Sequence, residues 1–196
     1  MIQCYFYLNN YAFMGYENLE KIILPDSVIY IGDKAFSYSK NLAYINSNVE
    51  GTIIMPKNLQ YYGQSLFTSN DKINSFEFPE QIDYIQNWTF SQTDGFTDLT
   101  ISGQFKYIGM GAFSESSIEN LTIDNGVQII EHSAFSMNKQ LTTVEIADSV
   151  VSIGSVAFQL CSSLNDFTYN GKLSYIGQNI FKYTKFEYSF KNSQLP

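Results

Sequence analysis

Paired carboxylates are the residues of this sequence that come closest to a catalytic arrangement. Glu77 and Asp98 fall in neighbouring copies of a repeated segment, and so do Glu145 and Asp166. A glycosidase needs two such groups about 5 to 9 Å apart in a cleft. The surrounding positions are mostly Thr and Ser, which is typical of an open, solvated sheet face without a desolvated pocket. The sequence therefore favours a polar surface over an acid–base pair.

The single histidine, His132, lies in a segment whose equivalents carry residues of unrelated chemistry. We therefore interpret its position as a solvated turn. The equivalent residues are Asp33, Gln64, Asn87, Met110, Ser155 and Gln178. One imidazole does not provide a three-histidine metal site, and no Ser-His-Asp or Cys-His arrangement is evident. A phosphate-binding P-loop, a dinucleotide-binding fingerprint and a C-x-x-C motif are also absent. We expect no enzymatic activity, no cofactor and no metal.

A tyrosine recurs at one position of the repeat, just before an apolar residue that we expect to point inward. This column reads Tyr7, Tyr30, Tyr61, Tyr84, Tyr107, Ile129, Ser152 and Tyr175. Because side chains alternate along an extended chain, the tyrosines should point outward along one flank. Such a row is a cross-strand ladder, with contacts of roughly 0.2–1 kcal/mol each, or an adhesive strip, or both. The candidate binding residues are Tyr30, Tyr61, Tyr84, Tyr107 and Tyr175, with Glu77, Asp98, Glu145 and Asp166.

The elements that must position these side chains are indicated by a periodic phenylalanine. Phe occurs at positions 13, 36, 67, 90, 113, 135, 158 and 181, and six of the seven gaps are 22 or 23 residues. A period of this size is the signature of a solenoid, in which each unit buries its apolar face against its neighbours. We expect the Phe rings to form a continuous internal spine.

Each unit contains two apolar blocks. The first block, as in Leu19 to Leu24 and Leu141 to Ile146, ends in a period-2 alternation that predicts a short strand. The second, as in Val28 to Phe36 and Val150 to Phe158, predicts another extended piece that leads into one tight, 3₁₀-like turn. Turn residues such as Pro25-Asp26-Ser27 predict a chain reversal between the blocks. Equivalent strands should stack in parallel at about 4.8 Å per coil, forming a rod roughly 40 Å long.

The combined motif L-x-x-I-x-I-P-x-S-V-x-x-I-G-x-x-A-F, with C-S-S-L at Cys161 to Leu164, resembles the BspA-like leucine-rich repeat family. The best copies are Leu19 to Phe36 and Leu141 to Leu164, and the resemblance covers essentially the whole chain. It implies a leucine-rich-repeat solenoid of the α/β horseshoe class, mostly β. About eight stacked repeats would supply parallel strands joined by short 3₁₀ or helical turns. Family members occur mainly on the surfaces of anaerobic bacteria and in some protists, where they bind host matrix proteins or other cells. No fixed set of binding residues carries over.

The chain is predicted to form one domain, residues 1–196, that begins midway through a repeat. The gap of 31 residues between Phe36 and Phe67 holds eight extra residues, at about 46–53. Their polar residues and Gly predict a protruding loop or hairpin, which is either tolerated surplus or a binding element; we favour surplus. Open strands at the two ends of the solenoid predict end-to-end self-association.

Composition limits the partners. The net charge is −8, charged residues make up 15% of the 196 residues and aromatic residues 16%. An acidic surface without basic clusters argues against binding to nucleic acid or anionic membranes. No apolar run of about 18 residues is present to span a bilayer, and the sequence shows no signal peptide. Cys4 and Cys161 lie six or seven coils apart, or roughly 30 Å, which predicts no disulfide between them.

These observations, together with the resemblance, predict a non-enzymatic ligand-binding or adhesion module of a cell-surface protein, exposed outside the cell. The expected partner is a host matrix or cell-surface protein, with a glycan as a further option. An intracellular scaffold for protein–protein contact is the first alternative. The second is a carbohydrate-binding or carbohydrate-processing protein that uses the four carboxylates together with the tyrosines.

Overall fold

A computed structural model describes residues 6–186 as a stack of coils built from short strands. We number the coils 1 to 8 by their phenylalanine, from Phe13 in coil 1 to Phe181 in coil 8. Coils 2 to 8 contain strands from both apolar blocks, whereas the described part of coil 1 contributes one strand. The structure confirms the predicted solenoid, with seven complete coils instead of eight, and it contains no helix within residues 6–186.

Two columns of strands run the length of the stack. The first apolar block forms the first column: β2 (Lys21–Ile22), β4 (Tyr44–Ile45), β5 (Thr52–Ile54), β7 (Ser75–Glu77), β9 (Asp98–Ile101), β11 (Asn120–Ile123), β13 (Thr143–Ile146) and β15 (Asp166–Tyr169). The second block forms the second column: β1 (Phe6–Leu8), β3 (Val28–Ile31), β6 (Tyr61–Tyr62), β8 (Tyr84–Ile85), β10 (Tyr107–Ile108), β12 (Ile129–Ile130), β14 (Ser152–Ile153) and β16 (Tyr175–Ile176). Strands within a column pair in parallel, as predicted.

Pairing along each column is interrupted once. In the first column, β2-β4-β5-β7 and β9-β11-β13-β15 form two separate sheets. In the second column, β1-β3-β6 form one sheet and β8-β10-β12-β14-β16 form another. The two interruptions lie on opposite sides of coil 4, which carries β7 and β8. Coil 4 is therefore the irregular unit of the solenoid.

Alternation along each strand decides which side chains enter the core. In β11, Leu121 and Ile123 are buried while Asn120 is exposed. The parallel register places Leu121 between Leu99 of β9 and Val144 of β13, which are also buried. Burial of an aliphatic side chain of this size stabilises the fold by about 1.5–3 kcal/mol. Each coil thus gains its stability from rows of similar contacts with the coils on either side.

The phenylalanines form the internal spine that their spacing predicts. Rings of successive coils stack with centroids 5.3 to 5.9 Å apart and planes within 16° of parallel, along the series Phe13, Phe36, Phe67, Phe90, Phe113, Phe135, Phe158 and Phe181. The six rings between the two ends of this series are fully buried. Offset stacking of this kind contributes about 0.5–1.5 kcal/mol per pair beyond the area that is buried.

The turn around each phenylalanine is not the 3₁₀ or helical segment that the sequence predicts. It contains i→i+3 hydrogen bonds, such as that from the Ser37 N–H to the Lys34 carbonyl at 3.2 Å. However, the residues two before and two after the Phe are left-handed, with φ of 54° at Lys34 and 61° at Tyr38. Positive φ ends a right-handed helix and turns main-chain N–H groups toward the next coil. Phe36, for example, donates its N–H to the Leu66 carbonyl at 3.1 Å.

A column of small polar side chains fastens each turn to the coil before it. Six of them donate to the carbonyl of the preceding coil's phenylalanine: Ser39, Asn70, Thr93, Ser116, Asn138 and Cys161. The Cys161 Sγ lies 3.2 Å from the Phe135 carbonyl oxygen, and burial raises the pKa of this thiol to about 12. Cys161 is therefore a buried hydrogen-bond donor in the stack. Cys4, for which the sequence predicts no disulfide with Cys161, lies outside the described residues.

The insertion at residues 46–53 is not the protruding loop or hairpin that its composition predicts. Its second half enters β5, which pairs with β4 through Ile53 and Ile45 and continues into the pairing with β7. Ile53 is completely buried, and only residues 48–50 are exposed. The extra residues therefore add a strand to the first column. The apolar side chain of Ile53 explains the outcome, because its burial would be lost in a protruding loop.

Asn46 closes this short connection between two parallel strands. Its backbone is left-handed, with φ of 50°. Its Oδ1 accepts a hydrogen bond from the Leu24 N–H at 2.8 Å, and its Nδ2 donates to the Ile54 carbonyl at 3.0 Å. One amide side chain thus ties together the main chains of coil 2 and coil 3.

Candidate functional site

The tyrosines of the second column lie in register along one flank of the solenoid. Tyr30 pairs with Tyr7 and Tyr61, and Tyr84 pairs with Tyr107. The most exposed members are Tyr7 at 61%, Tyr175 at 55%, Tyr107 at 44% and Tyr61 at 38%. Tyr30 and Tyr84 are half-buried. Ile129 and Ser152 occupy the position in coils 6 and 7, so Tyr175 is separated from the other tyrosines.

The tyrosine row changes character between coil 3 and coil 4. The Tyr30 ring stacks on the Tyr61 ring at 5.1 Å with an interplanar angle of 14°, and Tyr7 lies 6.0 Å from Tyr30. The next ring, that of Tyr84, stacks instead on Tyr62 at 5.7 Å and 13°. Within residues 6–186, no ring stacking joins Tyr84 to Tyr61 or Tyr107. The predicted ladder is therefore present in coils 1 to 3 and opens at coil 4.

Tyr62 causes this opening. It occupies the inward position that Ile31, Ile85 and Ile108 hold in other coils, and it is completely buried. Its phenol Oη donates to the Tyr84 carbonyl at 3.0 Å and accepts from the Gln86 N–H at 2.9 Å. Burial raises the pKa of the Tyr62 phenol far above its usual range. The neutral phenol thus acts as a spacer between β6 and β8 and explains the interruption of the second column.

The regular coils close this gap with a main-chain bond. Between coils 4 and 5, for instance, the Gly109 N–H donates to the Ile85 carbonyl at 2.8 Å. A side chain at Gly109 would place its Cβ 2.6 Å from that carbonyl oxygen, so glycine is required there. Gln86 stands at the equivalent position of coil 4, where the Tyr62 phenol holds the coils apart, and its Nε2 donates to the Tyr62 carbonyl at 3.3 Å.

A groove of about 560 Å³ lies beside this spacer. Tyr61 and Tyr107 line it with the more deeply placed Tyr84 between them. Its other contacts are Ile85, Gln86, Asn87, Gly109, Met110 and Glu131. We call these residues the tyrosine groove. Aromatic rings, amide groups and a carboxylate all line this groove.

One carboxylate lines the groove, and two others lie near its tyrosines. Glu131 lines it directly. Burial, followed by the nearby Asp33 charge, raises the pKa of the Tyr61 phenol. Burial also raises the pKa of the Tyr84 phenol, with smaller contributions from Tyr61 and the charge of Asp83. Burial is the main cause of both shifts, and the charges of Asp33 and Asp83 add a smaller contribution that opposes further negative charge.

Asn87 shows how the turn next to the groove is held in place. Its Oδ1 accepts from the Met110 N–H of the following coil at 2.9 Å. Asn10, Asp33 and Ser155 make the same contact with the coils that follow them. The repeat position of His132, interpreted as a solvated turn, thus also carries structural bonds between coils. His132 itself is exposed.

The four candidate carboxylates lie elsewhere, on the outer face of the first column. Glu77, Asp98, Glu145 and Asp166 are all exposed, and none lines the tyrosine groove. Glu77 and Asp98 belong to separate sheets, because β7 and β9 are not paired. The Asp98 Oδ1 accepts from the Asn120 Nδ2 at 2.7 Å, and Asp166 pairs in register with Thr143. The structure therefore does not bring the carboxylates and the tyrosines together.

Sequence reasoning missed three residues of the groove region: Tyr62, Gln86 and Glu131. Each departs from the repeat motif, since Tyr62 replaces its inward Ile and the other two replace the Gly that follows this Ile. Between Gly32 and Gly177, Gln86 and Glu131 are the two exceptions in this glycine column. These departures, found by comparing the repeats, would have indicated the site.

Metal sites and membrane-spanning helices are two further features to consider in the described part of the chain, residues 6–186. No group of three or more His, Cys, Asp and Glu side chains there is arranged to hold a metal ion. No helix in that part is long and apolar enough to cross a membrane.

Comparison with known proteins shows which repeats and structures this chain resembles. The description "BspA type Leucine rich repeat region" matches residues 6–142 and 89–195, in six copies. No curated protein shows significant similarity to the chain. A leucine-rich repeat protein of T. pallidum is similar in fold, with a TM-score of 0.66 and 24% identity over 81% of this chain and 71% of its own.

Two further solved structures share the fold. A leucine-rich cell surface protein of Faecalibacterium prausnitzii A2-165 has a TM-score of 0.55 and 23% identity, over 89% of this chain and 54% of its own. The pneumococcal vaccine antigen PcpA has a TM-score of 0.59 and 20% identity, over 91% of this chain and 51% of its own. The chain thus spans about half the length of these two proteins.

Proposed function

This chain belongs to the family of proteins built from BspA-type leucine-rich repeats, and from that premise we propose that it is the ligand-binding module of a cell-surface protein, without enzymatic activity. The proposed ligand is a protein of the extracellular matrix or of another cell. The description of the F. prausnitzii relative as a cell surface protein supports this location. The observation that carries the proposal is the tyrosine groove on the flank of the second column.

The groove has the chemistry of a protein-binding surface. Tyr offers a large apolar face with a polar tip at low cost in side-chain entropy, and it is enriched among the residues that dominate binding energy. Tyr61 and Tyr107 are exposed but arise from strands whose register is fixed by neighbouring coils. The rings are therefore presented by a rigid scaffold, which limits the entropy lost on binding.

Carbohydrate processing has weaker support. A glycosidase needs two carboxyl groups that face each other across a cleft. Glu77 lines a surface groove of about 320 Å³ that contains no second carboxylate among the described residues, whereas Glu145 lines a groove of about 470 Å³ together with Asp124 and Asp148. Asp124, Glu145 and Asp148 are all exposed to solvent, so this groove lacks the desolvated carboxyl group that a general acid requires, and we propose protein binding as the function of the module.

Adhesion of protein-coated beads tests this proposal. The beads would be applied to a panel of immobilised extracellular-matrix proteins and to cultured epithelial cells. We expect the double variant Tyr61→Ser/Tyr107→Ser to bind at least ten-fold more weakly, because exposed Tyr anchors commonly contribute 1–2 kcal/mol or more each. Tyr175→Ser is the matched control, since Tyr175 is exposed on the same flank but lies outside the groove.

Two results would contradict the proposal. Undiminished adhesion by the double variant, with an unchanged circular dichroism spectrum, would show that the groove does not bind the partner. Hydrolysis of a polysaccharide panel by the wild-type chain, abolished by Glu77→Gln or Glu145→Gln, would assign an enzymatic function instead. Surface labelling of the full-length protein on intact cells tests the location, and exclusive labelling after lysis would favour the intracellular scaffold.

A further inference from the structure

The tyrosine groove has a shape that suits a flat group. Tyr61 and Tyr107 belong to coils 3 and 5, so their strands are separated by more than the roughly 10 Å of two regular strand spacings, because Tyr62 holds coils 3 and 4 apart. Tyr84, between them, is half-buried and turned toward Tyr62. The space that a regular tyrosine ladder would fill is therefore open between two exposed rings.

Glu131 is the one charged residue among the described residues that line the groove. Two further carboxylates lie nearby, Asp33 beside Tyr61 and Asp83 beside Tyr84, and the second of these is paired with a cation. Lys106 precedes Tyr107 in the chain, but its Nζ donates to the Asp83 Oδ2 at 2.9 Å. No Lys or Arg is among the residues that line the groove. With a net charge of −8 on the chain, the electrostatic complement of this site is a cation.

We propose that the tyrosine groove binds the guanidinium group of an arginine presented by the protein partner. This inference rests on the proposed protein-binding function and specifies the chemistry of its ligand. A guanidinium is planar, stacks on aromatic faces and donates to carboxylates in a fork, whereas an ammonium is a compact point charge. Tyr61 and Tyr107 supply the faces, Tyr84 supplies the inner wall, and Glu131 supplies the carboxylate.

The amide groups are consistent with a ligand that donates hydrogen bonds. The Gln86 Nε2 already donates to the Tyr62 carbonyl at 3.3 Å. The Oε1 of the same amide can therefore accept a hydrogen bond from a ligand in the groove. A guanidinium carries five N–H donors and no acceptor. A neutral sugar, by contrast, both donates and accepts, and gains less from a carboxylate.

Short peptides provide the test. The probes are acetyl-Gly-Ser-Arg-Ser-Gly-amide and the same peptide with citrulline or Lys in place of Arg, titrated by NMR against the whole chain at low salt. Citrulline keeps the planar shape and removes the charge. We expect the Arg peptide to bind at least ten-fold more tightly than the citrulline peptide and more tightly than the Lys peptide. Equal affinity for the Arg and citrulline peptides would overturn the inference.

Variants locate the binding. Glu131→Gln and Tyr107→Ser should each weaken binding of the Arg peptide about five-fold or more. Glu145→Gln and Tyr175→Ser are matched controls at exposed positions outside the groove and should leave the affinity unchanged. Thermal unfolding checks that each variant is folded. An affinity that is insensitive to Glu131→Gln, or equally sensitive to Glu145→Gln, would show diffuse attraction to an acidic chain and would refute a specific site.

The bead assay separates this inference from the proposed function. If beads adhere through Tyr61 and Tyr107 but Glu131→Gln has no effect, the arginine ligand is wrong and the protein-binding function stands. If the double tyrosine variant adheres as well as wild type, the proposed function itself fails. Binding of soluble glucans in the groove, without binding of the Arg peptide, would also overturn the arginine ligand.

Discussion

Replacement of Tyr62 by Phe removes one oxygen atom from the centre of the solenoid and tests the spacer described above. In the native chain the phenol pairs with both the Tyr84 carbonyl and the Gln86 N–H. The Tyr62→Phe variant leaves these two main-chain groups without that partner while the ring still fills its buried space. The two main chains are prevented from closing the gap, because Phe retains the ring that holds them apart.

The cost follows from the number of groups left unpaired. A buried main-chain group that loses its hydrogen bond costs about 1–3 kcal/mol. For two groups, with partial access of water from the neighbouring groove, we expect a loss of about 2–4 kcal/mol in the free energy of unfolding. In a chain of this size that corresponds to a drop in melting temperature of about 5–15 °C.

Urea denaturation followed by circular dichroism measures this loss. Tyr61→Phe is the control, because Tyr61 is the preceding residue but is exposed, and its variant should unfold within about 0.5 kcal/mol of wild type. The double variant Tyr62→Ile/Gln86→Gly restores the motif of the other coils and should recover much of the stability through a main-chain bond. The reasoning is refuted if Tyr62→Phe unfolds within about 0.5 kcal/mol of wild type, or if the double variant is less stable than Tyr62→Phe.

Three further predictions follow from the stack itself. Phe90→Ala, which removes a fully buried ring that contacts Phe67 and Phe113, should cost about 3–5 kcal/mol by urea denaturation, whereas Val49→Ala, at a position that is 66% exposed, should cost less than about 1 kcal/mol. Asn46→Ala should cost about 1–3 kcal/mol, measured the same way, and Asn48→Ala at the exposed tip of the insertion should be neutral. In a Cys4→Ser background, the Cys161 thiol should react with a thiol reagent at pH 8 only after unfolding, because burial raises its pKa to about 12. Rapid labelling of the native chain would contradict the burial. A free thiol ionises near pH 8.5, so the stability that comes from keeping Cys161 protonated is complete below about pH 8.5 and is lost as the pH rises toward about 12.

The repeat register could be predicted from the sequence because the period carries structural information from one coil to the next. The inward phenylalanines, the parallel strands and the outward tyrosines all follow from one alignment of the repeats. The left-handed turns were missed because Lys34 and Tyr38 have no intrinsic preference for positive φ. Only the hydrogen bonds to the following coil determine that conformation, and a single repeat contains no sign of them.

The insertion and the groove were missed for a different reason. A motif describes the average coil, whereas both features arise where one coil departs from that average. Ile53 looked like part of a polar loop, although one buried apolar residue was sufficient to recruit a strand. Tyr62 replaces the inward Ile of the motif with another apolar ring, and only the hydrogen bond of its hydroxyl to the Tyr84 carbonyl shows that it interrupts the sheet. In a repeat protein, the deviations from the motif deserve the closest chemical reading.

The turns around the phenylalanines also contribute a dipole moment along the axis of the solenoid. Within the turns of the described residues, at each of the seven steps between coils, three main-chain N–H groups of one coil donate to three carbonyls of the next. Phe13 donates to Ala35, for example, and Phe158 to Ile180. Each peptide unit has a dipole of about 3.5 D, and these units are aligned instead of alternating as in the strands. Their dipoles therefore add along the axis, with the positive pole toward coil 8, so two such domains placed head to tail would attract each other and two placed head to head would repel.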